Sequence, residues 1–499
     1  MRRSILALAL AFAGASSATA TIVVNPLAPI PAGITARIGH FATVPPTRPQ
    51  LARTGAEGLK GLKDGSGRIF INDTRGILYV TTAAGGTPTP YLDMRGKYGF
   101  SNAANSSQTG LMSFAFHPNF NKDPGKPGYN VFYTIDTTDA SAGTASWGVP
   151  NAPVSHHDVL REWTVANPAA SVASVVGMRE VMRIAQPFSD HGPGTIAFNP
   201  TAAEGSADYG KLYVGLGDGG SANDPLGSAQ DLTRPFGKIL RIDPADPDGA
   251  GPLTYGVPAD NPFVGQQAAR GEVWAYGLRN PQHFSWSSDG RMFISEIGQA
   301  QIEEVDLGQA GGNYGWPMRE GTFARGVGND ENIYDTPLNS GLFVDPLAQY
   351  DHEEVFRDGI SNLVSIGCAF LYEGSLVPKL YGKVVLTDLV SGRIFYFDPS
   401  APAGSNGAQL YELMLTLDDL PATLRTLEGY GGAKRVDLRL GVDANGEIYM
   451  LSKGKGAIYR FLSTPVPEPA TWATALLGFG LMGLMLRLRP RRALAHAAS

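Results

Sequence analysis

The chain has 499 residues, with 40 basic and 46 acidic side chains. Setting aside six arginines at the two ends and Glu468 leaves 34 basic against 45 acidic residues, so the main domain lacks the positive surface that a nucleic-acid partner requires. Cys368 is the only cysteine, which excludes an intramolecular disulfide.

The N-terminus has the pattern of an export signal. Arg2 and Arg3 precede an apolar run from Ile5 to Ala13, and small residues follow up to Ala20. A basic start, a short apolar core and small residues in this order predict a secretory signal peptide over residues 1–20. A buried N-terminal helix is the alternative. Residues 21–54 are then an N-terminal extension of the mature chain.

The middle of the chain repeats one pattern, an apolar strand, a turn with Gly, Asp or Asn, and a second strand that carries an aromatic residue. The repeats occupy residues 67–81, 113–136, 195–220, 283–298, 383–398 and 437–461. Six such hairpins predict an all-β domain over residues 55–462, a six-bladed β-propeller with long inter-strand insertions. A decorated β-sandwich is the alternative.

Polar clusters interrupt this pattern at three places. Asp190 and His191 precede a predicted strand, and an imidazole beside a carboxylate can accept a proton from an alcohol near neutral pH. Arg279 offers a planar donor pair for a carboxylate, or else forms a structural salt bridge. The Gly-containing turn after Glu296 offers backbone oxygens that suit calcium, or is an ordinary loop.

Together these segments resemble the soluble quinoprotein glucose dehydrogenases and the related aldose-sugar (glucose/sorbosone) dehydrogenases. The matching motifs lie in order at residues 108–120, 190–191, 212–220, 237–243, 276–281 and 311–317. The resemblance runs from Gly55 to Phe461. It implies that the chain oxidises the C1 hydroxyl of an aldose sugar by passing a hydride to pyrroloquinoline quinone, and that calcium polarises the quinone. The electron acceptor is not identified by the sequence.

The resemblance also implies roles for individual residues. His191 is the expected general base, and Asp190 its supporting carboxylate. The expected cofactor-binding residues are Gln108, Arg279, Asn280, Lys434 and Arg435, and the carbonyl oxygens of Gly298 and Gln299 are expected to hold calcium.

Two positions depart from the family pattern. Val390 lies where the family has a lysine against the cofactor, and residues 434–437 keep only part of an Arg-x-Arg-Asp cluster. The quinone carries three carboxylates, so lost cations weaken binding unless Arg393, Lys434 or Arg435 compensates. An alternative function is therefore a propeller without turnover that binds carbohydrate or protein outside the cytoplasm, like the hedgehog-interacting relatives of this fold.

The C-terminal tail, residues 463–499, resembles the PEP-CTERM sorting signal of Gram-negative bacteria. Residues 466–469 read Val-Pro-Glu-Pro, an uncharged apolar run covers residues 470–486, and four arginines follow. The resemblance implies processing by an exosortase-type enzyme. The run is long enough to anchor the chain in the inner membrane until it is processed, with the main domain in the periplasm or at the cell surface.

Overall fold

The computed structural model describes residues 21–24, 26–48, 53–102, 108–245, 254–326, 330–335, 341–352, 364–401, 406–429 and 435–463. Within these ranges only a four-residue helix, α1 (Leu424–Leu427), and a 3-10 turn (Pro378–Leu380) interrupt a succession of β-strands. The predicted all-β class is confirmed.

Most described strands can be grouped into six four-stranded antiparallel units. Units two, three and four are separate sheets, whereas units five, six and one are joined by parallel strand pairs into one 13-stranded sheet. Strands β1 (Ile22–Val23) and β2 (Ala32–Thr43) precede unit one, which contains β3 (Ala56–Gly61), β4 (Arg68–Asp73), β5 (Ile77–Thr82) and β6 (Thr89–Asp93). Unit two contains β7 (Leu111–Phe116), β8 (Val131–Thr138), β9 (His156–Val165) and β10 (Val175–Gln186). Unit three contains β11 (Pro193–Phe198), β12 (Leu212–Leu216), β13 (Lys238–Ile242) and β14 (Val273–Tyr276).

The second half of the chain forms three more units. Unit four contains β15 (His283–Trp286), β16 (Met292–Glu296) and β17 (Ile302–Leu307), then an insertion with β18 (Arg319–Glu320), β19 (Phe323–Arg325) and β20 (Ile333–Tyr334), and finally β21 (Ala348–Asp351). Unit five contains β22 (Ile366–Leu371), β23 (Val384–Asp388), β24 (Ile394–Phe397) and β25 (Tyr411–Leu417), and the short β26 (Leu420–Ala422) pairs with β25. Unit six contains β27 (Leu438–Val442), β28 (Ile448–Ser452), β29 (Ala457–Leu462) and β2.

Each of the six repeated segments forms an antiparallel pair of strands. The pairs are β4–β5, β7–β8, β11–β12, β15–β16, β23–β24 and β27–β28. In the turn between β15 and β16, Gly290 has a φ of +87°, a conformation that glycine adopts at low cost. The repeat in the sequence therefore corresponds to one hairpin in each unit.

Residues 32–43, within the predicted N-terminal extension, form strand β2. Strand β2 pairs with β29, from Thr43 opposite Ala457 to Arg37 opposite Leu462, and so supplies the fourth strand of unit six. Four of its twelve residues are polar, and its partner lies at the other end of the domain. No local pattern in residues 32–43 could reveal that pairing.

The apolar core lies between neighbouring units. Between units one and two, Phe70, Phe114, Phe132 and Trp163 pack together with essentially no exposed surface. The rings of Phe132 and Trp163 stack with their centroids 6.1 Å apart. Burying each such side chain contributes about 1.5–3 kcal/mol, so packing between units stabilises a domain that has no disulfide.

The first strands of the six units surround a central cavity of about 470 Å³. Strands β3, β7, β11, β15, β22 and β27 contact one another in this order, and β27 contacts β3 in turn. Each of these strands contributes residues to the lining of the cavity, for example Lys60, Ser113, Thr195, His283, Cys368 and Arg439 in the same order. The loops at the ends of these strands therefore lie close together in space.

No helix within the described ranges is long and apolar enough to span a bilayer. The predicted signal peptide (residues 1–20) and the predicted membrane segment (residues 470–486) lie outside those ranges.

Candidate functional site

A cleft of about 180 Å³ lies where loops of several units meet. It is lined by seven residues that the sequence singles out: Gln108, His191, Arg279, Asn280, Gly298, Gln299 and Arg435. Of the two other candidates, Asp190 is not among the lining residues and Lys434 lies outside the described ranges. The structure thus brings together residues that are more than three hundred positions apart in the sequence.

The strand order explains this convergence. His191 lies two residues before β11, and Gly298 lies two residues after β16. In an antiparallel hairpin, the start of the first strand and the end of the second meet at the same edge. Loops that precede the first strand or follow the second strand of units three and four therefore reach the same face of the molecule.

His191 is oriented by a buried carboxylate. Its Nδ1 lies 2.7 Å from Oδ1 of Asp218, whose side chain has no exposed surface. The other carboxylate oxygen of Asp218 accepts a hydrogen bond of 2.9 Å from Nε1 of Trp316. A carboxylate only accepts, so the imidazole proton sits on Nδ1 and the lone pair on Nε2. The backbone N–H of His191 donates to Oε1 of Gln108 at 2.9 Å.

The carboxylate that contacts the ring of His191 is that of Asp218 and not the expected Asp190. The side chain of Asp190 is 41% exposed, and its nearest carboxylate oxygen lies 3.9 Å from Nε2 of His191. The backbone at His191 is left-handed, with a φ of +49°, and in this conformation the ring contacts Asp218 and not the carboxylate of the preceding residue. The sequence could have indicated Asp218, because this residue follows β12 by two positions and therefore lies at the same edge as His191.

Arg279 lies across the metal-binding turn expected from the sequence. Its Nη1 donates to the carbonyl oxygens of Ile297 at 3.0 Å and Gly298 at 2.8 Å. Its guanidinium is 5.5 Å from the ring centroid of Trp316, and that of Arg325 is 4.5 Å from the same ring. Cations over an indole face are stabilised by the ring quadrupole. Trp316 therefore contacts both Asp218, which orients His191, and the guanidinium of Arg279.

A buried carboxyl group supports the backbone of Arg279 and Asn280. Oε1 of Glu296 accepts hydrogen bonds from both backbone N–H groups, at 2.5 and 2.9 Å. Burial raises the pKa of Glu296 well above its usual value, and the nearby Glu304 raises it further. This residue fixes the two expected quinone-binding residues relative to the turn at Gly298.

Glu320 holds the turn itself. Its Oε1 accepts hydrogen bonds of 2.8–3.0 Å from four consecutive backbone N–H groups, those of Gln299, Ala300, Gln301 and Ile302. A Cβ at position 298 would lie 2.8 Å from the same oxygen, so only glycine fits there. No motif in the sequence marks Glu320, because it belongs to an insertion with no strand repeat.

The expected calcium ligands are two hard, neutral oxygens. The carbonyl oxygen of Gly298 already accepts one hydrogen bond from Arg279 and keeps a second lone pair. Calcium takes about six to eight oxygens, and the described residues contain no group of three or more His, Cys, Asp or Glu side chains that could hold a metal. The turn therefore fits calcium only together with an oxygen-rich ligand in the cleft.

The opposite side of the cleft has fewer cations. Val390 is 3% exposed at the position of the expected lysine, and Arg393 pairs with Glu412 at 2.7 Å and does not line the cleft. Arg435 lines the cleft and pairs with Asp437 at 3.0 Å. Arg425, which the sequence analysis did not select, donates to the carbonyl oxygen of Val390 at 3.2 Å.

Comparison with known proteins agrees with this geometry. Residues 56–459 match the family model for glucose / sorbosone dehydrogenases. The chain belongs to this family. Residues 465–492 match the PEP-CTERM protein-sorting motif, which indicates an exported protein of a Gram-negative bacterium.

The curated proteins to which the chain is similar have differing descriptions. The chain is 29% identical to the HIPL1 protein of Arabidopsis thaliana over 443 residues, which cover 80% of this chain and 60% of that protein. It is 31% identical to the mouse hedgehog-interacting protein over 221 residues, 44% of this chain and 28% of that protein. The chain thus spans at most about 60% of these relatives.

A solved structure shares the fold. The PQQ-bound aldose sugar dehydrogenase of Streptomyces coelicolor has 22% sequence identity and a TM-score of 0.53, with 87% of this chain and 99% of that chain covered.

Proposed function

We propose that the chain is an exported quinoprotein dehydrogenase that oxidises the C1 hydroxyl of an aldose sugar. The observation that carries this proposal is the 2.7 Å bond between Nδ1 of His191 and the buried Asp218 in a cleft that Arg279 also lines. It leaves Nε2 of His191 as the proton acceptor for the sugar hydroxyl.

The chain's own residues then have separate tasks. Arg279, Asn280, Gln108 and Arg435 bind and orient the quinone, and the carbonyl oxygens of Gly298 and Gln299 hold calcium. Pyrroloquinoline quinone, with calcium bound, supplies the hydride acceptor that no amino-acid side chain provides. Asp218 holds the imidazole ring in the required tautomer and stabilises its protonated form.

We further propose that the six units are the blades of one propeller with long insertions. The ring of contacts among the six first strands and the cavity that they surround support this arrangement. A crystal structure with a different number of blades around the cavity would exclude it.

The sorting motif supports a location outside the cytoplasm. We propose that residues 470–486 anchor the chain in the inner membrane until an exosortase-type enzyme removes the tail, and that the domain acts in the periplasm or at the cell surface. Fractionation of cells that express the chain with and without residues 463–499 tests this. Equal distribution of the two forms would contradict it.

The second candidate is a binding module without turnover. The buried Val390 and the few cations on that side of the cleft favour it. One experiment separates the two functions. The purified chain is mixed with calcium and the quinone, the absorption spectrum of bound quinone is recorded, and dye reduction is measured with a panel of aldoses. Reduction of dye supports the dehydrogenase, and sugar or quinone binding without any reduction supports the binding module.

A further inference from the structure

A separate cluster of buried polar side chains lies beneath the loop that carries His191. His156 and Asp158 are two residues apart on β9, so they project from the same face of the sheet. Gln186 of β10 is the direct cross-strand partner of His156. The three residues are 3%, 1% and 0% exposed, and none of them lines the cleft.

This cluster contains more hydrogen-bond acceptors than donors. Within the described part of the chain, four of its atoms have no hydrogen-bond partner: Nε2 of His156, both carboxylate oxygens of Asp158 and Oε1 of Gln186. The amide nitrogen of Gln186 donates to the carbonyl oxygens of Asp190 and Gly219, at 3.0 and 3.3 Å. Buried acceptors without a donor cost free energy, and an ionised carboxylate costs most.

Asp158 and the amide group of Gln186 face a small space next to Gly192. The position that a Cβ would take on Gly192 lies 3.5 Å from Oδ2 of Asp158 and 3.8 Å from Nε2 of Gln186. The backbone oxygen of Gln108 is 3.7 Å from the same point. A glycine at position 192 therefore leaves room beside Asp158 for one small group.

The spacing within the cluster suits a metal ion. Nε2 of His156 lies 3.3 Å from Oδ1 of Asp158. Two ligands with metal bonds of about 2.1 Å are this far apart when the angle between them is about 100–110°. An imidazole nitrogen combined with carboxylate and amide oxygens is a donor set for first-row divalent ions.

We propose that His156, Asp158 and Gln186 bind one divalent transition-metal ion, such as Mn²⁺ or Zn²⁺. One cation between them satisfies the carboxylate, the amide oxygen and the imidazole nitrogen together. A bound ion would join the ends of β9 and β10 beneath residues 190–192 and so fix the base of the loop that carries His191. The site does not depend on the quinone or on turnover.

Metal content tests the proposal directly. The purified full-length chain is treated with a chelator, exposed separately to Mn²⁺, Zn²⁺ and Ca²⁺, passed through a desalting column and analysed by elemental mass spectrometry. We expect about one tightly held Mn²⁺ or Zn²⁺ per chain. Asp158→Asn and His156→Gln should weaken binding by at least the roughly 10- to 100-fold that outer-shell residues contribute. His157→Gln changes the neighbouring histidine on the opposite face and should keep the metal.

A spectroscopic measurement on folded protein complements the titration. Pulsed electron paramagnetic resonance of the Mn²⁺-loaded wild-type chain should show nitrogen coupling from one imidazole. His157→Gln should retain the coupling and His156→Gln should lose it. A wild-type chain that holds neither Mn²⁺ nor Zn²⁺ after desalting overturns the proposal, and a buried ion pair between His156 and Asp158 then explains the cluster. Coupling that persists in His156→Gln also overturns it.

Discussion

The two sides of the cleft differ in how their side chains are supported. On the side of units three and four, His191, Asp218 and Trp316 form a continuous chain of buried contacts. On the side of units five and six, a buried valine stands at the position of an expected lysine, and Arg435 is 42% exposed. The side chains around His191 are thus held by buried contacts, whereas the described cations on the second side are few and partly solvated.

This difference leads to separable effects of mutation. Changes to His191 or Asp218 on the first side should reduce turnover, whereas changes to the proposed quinone-binding residues, Arg279 on the first side and Arg435 on the second, should reduce affinity for the quinone. If both kinds of change reduced turnover alone, or quinone affinity alone, the proposed separation of proton transfer from quinone binding would be wrong.

The largest effect is expected for His191→Ala. Loss of a general base typically lowers turnover by about 10²–10⁴-fold, and quinone affinity should change little because the quinone-binding residues remain. Steady-state rates at saturating quinone, together with a spectroscopic titration of quinone, measure both quantities. His40→Ala, on the exposed face of β2, is the control. Full activity in His191→Ala would place the base elsewhere.

The next largest effect is expected for Asp218→Asn compared with Asp190→Asn. An amide at position 218 no longer fixes the proton on Nδ1, so turnover should fall towards that of His191→Ala and the pH profile should shift. Asp190 is 3.9 Å from the ring and partly exposed, so the same substitution there should have a small effect. A larger loss of turnover in Asp190→Asn than in Asp218→Asn would instead make Asp190 the supporting carboxylate.

A smaller effect is expected for Glu320→Ala. Four backbone N–H groups lose their acceptor, and unsatisfied buried donors cost about 1–3 kcal/mol of unfolding free energy. Calcium affinity should fall as well, because the turn at Gly298 is no longer held. Glu320→Gln keeps an acceptor oxygen and should recover most of both losses. Denaturant unfolding measures the loss of stability, and calcium titration measures the loss of affinity. Unchanged calcium affinity in Glu320→Ala would show that the turn keeps its shape without Glu320.

The smallest effect is expected for Arg435→Ala. A partly exposed ion pair is worth at most about 1 kcal/mol, so quinone affinity should fall only severalfold, and excess quinone should restore turnover. Arg279→Ala should weaken quinone binding more, because Arg279 is buried and joined to the turn by two hydrogen bonds. An Arg435→Ala loss that excess quinone does not restore would assign Arg435 a part in the chemistry.

The sequence predicted the architecture where the pattern was local. Each repeated hairpin carries its own turn between two short, mostly buried strands, so all six could be recognised within short windows. Strand β2 was missed because its pairing with β29 depends on the whole domain. Two strands at opposite ends of a chain share no sequence feature that marks them as neighbours.

The candidate site was predicted in a similar way. His191, Arg279 and Asn280 were found because they interrupt the strand pattern with polar groups in recognisable motifs. Asp218 and Glu320 were missed, since their importance depends on which atoms they reach. Oε1 of Glu320 acts through four backbone N–H groups, and backbone donors leave no trace in the amino-acid sequence.

The pairing of β2 with β29 also has a consequence for biogenesis. Because the last sheet contains both the first and the last long strand of the domain, unit six cannot be completed while the C-terminal part of the chain is still being synthesised or translocated. Unit six therefore forms only after synthesis has passed Leu462, however early the other units fold.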